Sequence, residues 1–234
     1  WGGGVRGAPA PHAVAPAVPA AATARVRALA KEENWRLDVI DAGEFSDERY
    51  RTNPVNRCFY CKTNLYQSLA AMTGGMVLSG ANMDDLGDYR PGLQAAANNG
   101  VRHPYVEAGL AKADVRALAQ QLGLPALATL PASPCLASRA ETGLRIMPPD
   151  MALIDSVETW LRRELQPDTV RCRVRHGGIV IELDPETLSG LPSDRRTAVL
   201  DALREQIDET KGRMIQIAAY RRGSAFVHAN EAAG

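Results

Sequence analysis

Four cysteines are the residues of this chain best suited to metal or redox chemistry. Cys58 and Cys61 form a Cys-x-x-Cys pair in a stretch predicted to be helical, where residues three apart share one face. Cys135 follows in the irregular segment SPCLASR. Three thiolates suit a zinc ion completed by another ligand, or a 4Fe-4S cluster with one iron that lacks a protein ligand. Buried inert cysteines, or a disulfide between Cys58 and Cys61, are the alternatives.

An acidic segment, SGANMDDLGDYRPG at 79–92, is the second place where chemistry is expected. Its carboxylates are Asp84, Asp85 and Asp88. They follow the predicted end of a strand, which is where open α/β sheets bind ligands. Carboxylates there can hold Mg²⁺ that bridges to phosphates, and Gly80 and Asn82 suit a tight turn approached by a nucleotide. A solvated acidic turn explains the same composition.

Basic side chains make the third group. Ser138 and Arg139 follow the loop cysteine directly, and a predicted strand supplies three more arginines at alternating positions: Arg171, Arg173 and Arg175. Alternation places these three on one face of the strand and Cys172 on the other, toward the core. Guanidinium groups match phosphates and carboxylates bidentately, so an anionic ligand between them is expected. An exposed face with salt bridges to Asp or Glu is the alternative.

The elements that must position these groups alternate between helix and strand in the first 145 residues. Helices are predicted at 20–33, 56–72 and 108–125, and short strands at 36–42 and 76–82, the latter buried. Such alternation favours parallel βαβ units and a doubly wound sheet. The stretch 124–149 is irregular, and long loops of this kind in compact domains are often functional.

The pattern changes in the last third of the chain. A helix at about 150–165 precedes two β-rich runs, TVRCRVRH and GIVIEL, which Gly177-Gly178 separates and which we predict to be a hairpin. A helix at about 193–209 and the strand RMIQIAAY complete an αββαβ unit. We therefore predict two domains, 1–145 and 146–234.

Composition restricts the partners. Lysine plus arginine and aspartate plus glutamate each total 27, so no global field draws the chain to nucleic acid or to a membrane. No apolar run approaches the roughly 20 residues that span a bilayer. We expect a soluble, cytoplasmic protein that acts on a small molecule.

Taken in order, NRCFYCKTNLY, GANMDDLGDYRPGLQAA, PCLASR and RVRHG resemble one family of enzymes. This family is the ATP-dependent pyridinium-3,5-biscarboxylate mononucleotide sulfurtransferases of the nickel-pincer (lactate racemase) cofactor pathway, within the PP-loop ATP pyrophosphatase superfamily. The resemblance runs from about residue 13 to Ser224, where YRRGS matches the family's YRxGS ending. AGLAKADVRALAQQLGLP is shared more broadly among PP-loop enzymes, and GxNxDDLxDYRPG is the discriminating motif.

The resemblance implies a Rossmann-like (adenine nucleotide alpha hydrolase-like) domain followed by a smaller α+β domain, and a homo-oligomer. It also implies a reaction in which ATP adenylates a substrate carboxylate with release of pyrophosphate, and sulfur then displaces AMP. In one branch the loop cysteine surrenders its own sulfur. In the other, three cysteines bind a 4Fe-4S cluster that carries an extra sulfide. Cys135, Cys58 and Cys61 match the cluster branch as metal ligands and catalytic residues.

The implied cofactors are ATP, Mg²⁺ and the 4Fe-4S cluster, and the sulfide donor is left undefined. The nucleotide and substrate positions that the resemblance and the residue chemistry suggest are Gly80, Asn82, Asp85, Ser138, Arg139, Arg173, Arg175 and Glu158. We expect Arg139, Arg173 and Arg175 to clamp the phosphate and carboxylates of the substrate. Glu158 resembles an acidic residue that lines the family's site.

The sequence departs from the family at its start. PP-loop enzymes carry an SGGxDS loop that holds the phosphates of ATP, and the only candidate here is GGGVRG at 2–7, without serine or aspartate. We therefore expect the first strand and the PP-loop to be missing. Two alternatives stay open, a PP-loop tRNA thiolation enzyme and an inactive remnant that binds metal.

Overall fold

The computed structural model describes residues 9–87, 89–131, 134–207, 210 and 212–221. Over these residues the chain is a mixed α/β protein with many helices and two small sheets. Three features singled out from the sequence lie outside the described residues: the Gly-rich segment 2–7, Asp88, and the last three positions of YRRGS.

The described residues form ten helices and five strands. In chain order the helices are α1 (Ala20–Glu32), α2 (Glu48–Arg51), α3 (Arg57–Thr73), α4 (Pro91–Asn98), α5 (Pro104–Glu107), α6 (Lys112–Gln121), α7 (Pro125–Ala128), α8 (Pro148–Leu165), α9 (Pro185–Ser189) and α10 (Ser193–Gln206). The strands are β1 (Ala10–Ala13), β2 (Leu37–Ile40), β3 (Val170–Arg175), β4 (Gly178–Leu183) and β5 (Ile215–Ala219). Short 3-10 turns occur at Glu44–Ser46, Met83–Gly87 and Leu136–Arg139.

The chain divides into two compact units. The first contains residues 1–39, 51–55 and 135–234, and the second contains residues 40–50 and 56–134. The two-domain division at residue 145 stays a prediction.

The first unit contains the three-stranded sheet, in the order β3-β4-β5. Strands β3 and β4 form the predicted antiparallel hairpin, and β5 joins β4 in parallel. Helix α8 packs against β3 through an apolar stripe that recurs every three or four residues, with Met151, Ile154, Val157 and Leu161 all fully buried. Pro148 at the start of α8 and Gln166 in the left-handed region at its end set the helix length.

The second unit is centred on α3, which packs against α4. Its buried cluster joins Tyr66 of α3 to Ala95 and Ala96 of α4 and to Val101. Helix α3 ends where predicted, because Gly74 adopts a left-handed conformation (φ 59°) and its N–H bonds to the carbonyl of Ala70.

The prediction of a buried strand at 76–82 is wrong. Leu78 makes a single parallel bridge with Arg102, and the side chains of Met76 and Leu78 are 63% and 54% exposed. An apolar run becomes a buried strand only when sheet neighbours and covering helices enclose it. Among the described residues, the strand pairing at Leu78 consists of one bridge only. The described part of the chain therefore shows no doubly wound sheet at 76–82.

Among the described residues there is no helix whose length and apolar character would let it cross a membrane.

Candidate active site

The loop that carries Cys135 is fixed to the first unit while its thiol faces solvent. Cys135 is exposed, whereas the next two residues, Leu136 and Ala137, are buried. The backbone N–H of Leu136 donates to the carbonyl of Ala17 at 2.8 Å. The loop therefore presents one accessible sulfur from a firmly packed backbone.

A buried ion pair holds the far end of this loop. Nε and Nη2 of Arg139 donate to the two carboxylate oxygens of Glu158 on α8, at 2.8 and 2.9 Å. Both side chains are about 98% buried or more. The remaining nitrogen, Nη1, donates to the carbonyl of Cys135 at 3.0 Å and to Oγ of Ser138 at 3.1 Å. Such fork-to-fork pairs fix geometry as well as charge, so Arg139 sets the shape of the Cys135 loop.

Glu158 is saturated with donors. Besides Arg139, it accepts from Nη2 of Arg162 at 2.6 Å and from the backbone N–H of Cys172 at 3.1 Å. Burial by itself would raise the pKa of Glu158, but the hydrogen bonds and charge of Arg139, the Cys172 amide and the charge of Arg162 together hold that pKa below its usual value. The carboxylate is therefore ionised and links α8, β3 and the Cys135 loop.

Two arginines of β3 pair with a carboxylate of the chain, as in the salt-bridge alternative; the sequence did not indicate that the partner is Glu182. Arg173 is buried, its Nε donates to Glu182 of β4 at 2.9 Å, and its Nη1 donates to the carbonyl of Ser138 at 2.9 Å. Arg175 reaches the other oxygen of Glu182 at 3.3 Å. Glu182 lies within the apolar run GIVIEL, and its position across from the arginines depends on the hairpin register.

These contacts bear on the substrate clamp predicted for Arg139, Arg173 and Arg175. Two of the three guanidinium groups are buried and already engaged by carboxylates and carbonyls of the chain. Arg175 keeps about a third of its side chain exposed. The clamp stays a prediction, and Arg175 is its member that solvent reaches; Ser138, a separate candidate substrate contact, is half-buried.

Positive charge exceeds negative charge in this network. Its arginines are Arg139, Arg162, Arg171, Arg173 and Arg175, against the two glutamates Glu158 and Glu182. Arginines thus outnumber glutamates five to two among these side chains. Burial first, and then the charge of Arg139, lowers the pKa of Arg171, as expected where cations crowd.

The other two candidate cysteines lie at the start of α3, in the second unit. Cys58 is exposed and Cys61 is half-buried, one helical turn apart as predicted. Cys172, by contrast, is fully buried, and burial raises the pKa of its thiol far above the ordinary value. The side chains of Cys58, Cys61 and Cys135 thus fit the donor chemistry of a soft metal centre, and that of Cys172 does not.

Within the described residues there is no group of three or more His, Cys, Asp or Glu side chains placed to hold a metal ion. Cys58 and Cys61 belong to the second unit and Cys135 to the first. Their assignment to one centre stays a prediction.

The acidic segment forms a turn in which backbone N–H groups donate hydrogen bonds to side chains of the same turn. The N–H of Asn82 donates to Asp85 at 3.1 Å, and the N–H of Asp84 donates to the Asn82 side chain at 3.1 Å. Asp85 also pairs with Arg90 at 2.9 Å, and Asp84 accepts from the N–H of Lys112 at 2.6 Å. These bonds build the turn predicted after the strand position. The nucleotide and Mg²⁺ role of the turn stays a prediction.

Gly80 leaves space beside this turn. A Cβ added at Gly80 would meet nothing nearer than the ring of Tyr105, at 3.9 Å. The backbone preceding it is held by Ser79, whose Oγ lies 3.0 Å from Nδ1 of His103. A side chain at this position would make only an ordinary van der Waals contact, and the ligand role of Gly80 stays a prediction.

Comparison with known proteins gives sequence relatives, although no family model matches the chain. The chain is 38% identical over 161 residues to an uncharacterised protein of Synechocystis sp. (67% of this chain, 59% of that protein). It is 35% identical over 170 residues to the pyridinium-3,5-bisthiocarboxylic acid mononucleotide synthase of Lactiplantibacillus plantarum (71% and 60%). An uncharacterised protein of Methanocaldococcus jannaschii is 27% identical over 161 residues (67% and 60%). The matched region thus spans about 60% of each relative's length.

Proposed function

We propose that this chain is a cytoplasmic sulfurtransferase that converts pyridinium-3,5-biscarboxylate mononucleotide to its thiocarboxylate. A relative that is 35% identical over 170 residues carries the name of a synthase for the bisthiocarboxylic acid mononucleotide, which supports this substrate. The observation that carries the proposal is the exposed Cys135 on a loop locked by the buried Arg139–Glu158 pair. A nucleophilic sulfur needs access to the substrate and a fixed position, and this loop provides both.

The cysteines Cys58, Cys61 and Cys135 would hold a 4Fe-4S cluster. When bound, the cluster supplies the sulfur that replaces a carboxylate oxygen of the substrate. The chain's own part is to offer three thiols that solvent reaches at least in part, while Cys172 stays buried and protonated. The support for this assignment is the contrast in exposure between the fully buried Cys172 and the other three cysteines.

The excess positive charge beside the Cys135 loop suits a substrate with a phosphate and two carboxylates. Arg139 and Arg173 hold the loop in place, and Arg175 and Ser138 are accessible enough to meet the substrate. Arginines outnumber glutamates five to two among these side chains, which favours an anionic ligand.

We assign activation of the substrate carboxylate to ATP and Mg²⁺ bound by a Rossmann-like, PP-loop type domain. The turn with Gly80, Asn82 and Asp85 is the proposed nucleotide contact. Adenylation gives a carboxylate a good leaving group, because sulfur then displaces AMP rather than oxide. Pyrophosphate leaves in the first step and AMP in the second.

In the test, the protein is incubated with ATP, Mg²⁺ and sulfide. Parallel reactions contain the mononucleotide, tRNA or no substrate. Pyrophosphate release and the product mass are measured. We expect pyrophosphate only with the mononucleotide, and a product in which sulfur has replaced oxygen. The variant Cys135→Ser should still release pyrophosphate but form no thiocarboxylate, because adenylation does not need the thiol. Release that depends on tRNA, or none with either substrate, would contradict the proposal.

A further inference from the structure

Lys62 is a cation of the second unit that lies beside the Cys-x-x-Cys pair. It follows Cys58 by one turn of α3, so the two side chains share one face of that helix. The side chain of Lys62 is half-buried, whereas Lys31 and Lys112, the other lysines among the described residues, are exposed. Lysine stems commonly pack on a protein while the charged group stays near water, so the fold fixes the path of Lys62 more than that of the other two.

The stem of Lys62 runs across the start of α4. A Cβ added at Gly92 would come within 3.1 Å of Cγ of Lys62, a distance that would force the stem to move. Pro91 and Gly92 are the first two residues of α4. Glycine at the second position therefore leaves the space that the lysine stem occupies.

The ammonium group of Lys62 has no hydrogen-bond acceptor and no carboxylate at ion-pair distance within the part of the chain that the structure describes. Its charge acts on Glu44, whose side chain is only 6% exposed. Burial is the largest influence on the pKa of Glu44 and raises it, and the charge of Lys62 is the weakest of four influences on that pKa. Among the described residues, Lys62 is thus a cation without a paired anion.

The start of α4 also connects Lys62 to the acidic turn. Arg90, which directly precedes Pro91 and Gly92, pairs with Asp85 at 2.9 Å. Asp85 in turn accepts a hydrogen bond from the N–H of Asn82 at 3.1 Å. The turn proposed to contact the nucleotide and the stem of Lys62 therefore meet the same short segment, residues 90–92, within one compact unit.

We propose that Lys62 binds a phosphate group of one of the reactants, ATP or the mononucleotide. An ammonium group is a compact charge with three donors and is well suited to phosphate oxygens. Both reactants carry phosphate, and the experiment below distinguishes them. This inference rests on the proposed function, because it takes the ligand of Lys62 from that reaction.

Lys62→Met is the informative variant, because methionine keeps most of the stem that passes Gly92 and removes the charge. Lys62→Arg keeps the charge. Lys31→Met is the matched control, since Lys31 is an exposed lysine on a helix of the first unit. Pyrophosphate release is measured while ATP and the mononucleotide are varied in turn, which gives kcat and a KM for each reactant.

We expect Lys62→Met to raise the KM of one reactant roughly tenfold to a hundredfold, the factor that a hydrogen bond to a charged group is worth. The reactant whose KM rises is the one whose phosphate Lys62 binds. Lys62→Arg should recover most of the loss, because the cation is retained, and Lys31→Met should match the wild type.

A second measurement does not depend on turnover. The wild type is acetylated briefly with acetic anhydride in three samples: alone, with ATP and Mg²⁺, and with the mononucleotide. Mass spectrometry then gives the extent of acetylation at Lys62 and at Lys31. We expect the reactant that Lys62 binds to protect Lys62 and to leave the acetylation of Lys31 unchanged.

The outcomes separate this inference from the proposed function. If neither reactant protects Lys62 in a protein that releases pyrophosphate, the role of Lys62 is overturned and the proposed function stands. A lower kcat with unchanged KM values in Lys62→Met would also overturn that role, since loss of packing would explain it. Protection of Lys62 without pyrophosphate release would support the binding role and contradict the proposed function. Neither protection nor release would overturn both.

Discussion

At the scale of single residues, the Arg139–Glu158 pair shows what a buried charge pair contributes. Desolvating two ions costs about as much as their attraction returns, so the net stabilisation from the intact pair is small. The pair matters more for geometry, because Arg139 also donates hydrogen bonds to the Cys135 carbonyl and to Ser138. We interpret the pair as a device that gives the Cys135 loop one conformation.

Removing one partner should therefore cost far more than the net value of the pair. We expect Glu158→Ala to lower the free energy of unfolding by about 3–5 kcal/mol, because the buried, charged Arg139 loses its carboxylate partner. Glu164→Ala on the same helix is the control, since Glu164 pairs with Arg163 at the surface and should change stability by about 0–1 kcal/mol. Urea titration measures both. Equal losses would refute this view of the pair.

The pH dependence provides a check on the same prediction. The folded pKa of Glu158 lies below its unfolded value of about 4.3, so its contribution is complete above that pH and is lost as pH falls through the folded pKa. The stability gap between wild type and Glu158→Ala should therefore narrow below about pH 4.3. A gap that stays constant into acid would show that Glu158 acts through packing rather than charge.

At the scale of elements, the β4–β5 pair depends on a glycine. Gly178 has φ 131°, and a Cβ there would run into the carbonyl oxygen of Met214, the same oxygen that accepts from the N–H of Ile179 at 2.7 Å. Because glycine has no Cβ, the backbone of Gly178 can approach that of Met214 closely, and β5 can align with β4.

Gly178→Ala should destabilise the protein by more than about 1 kcal/mol, because both the backbone conformation and the contact with Met214 oppose a methyl group. The neighbouring Gly177→Ala is the control, since its added Cβ would meet nothing within 4 Å. Thermal unfolding of the two variants decides the matter. If Gly177→Ala is the more damaging, the close approach of β4 and β5 is not what requires glycine.

Elements that are specified by a pattern within a few residues were predictable from the sequence. Elements that depend on pairing with other strands were not. The apolar stripe of α8, the Gly74 end of α3 and the hairpin of β3 and β4 follow from patterns within a few residues. The run at 76–82 carries a strand pattern, but pairing there depends on other strands. The same limit applies to the buried pairs: the contact of Glu182 with Arg173 depends on the hairpin register, and that of Glu158 with Arg139 on the packing of α8.

At the scale of the whole molecule, the two units carry different parts of the proposed chemistry. The first holds the Cys135 loop, its buried ion pair and the excess of arginines, and the second holds the Cys-x-x-Cys helix and the acidic turn. The matched relatives extend well beyond the region they share with this chain. The proposed cluster requires Cys58, Cys61 and Cys135, so the account depends most on these three residues.

The most direct test is anaerobic analysis of iron and acid-labile sulfide in reconstituted wild type, Cys135→Ser and Cys172→Ala. We predict roughly four iron and four sulfide ions per wild-type chain, as a 4Fe-4S cluster requires. Cys135→Ser should lose most of both, and Cys172→Ala should keep them, because the Cys172 thiol is buried and protonated. An iron-free wild type, or a cluster that survives in Cys135→Ser and is lost in Cys172→Ala, would contradict the account.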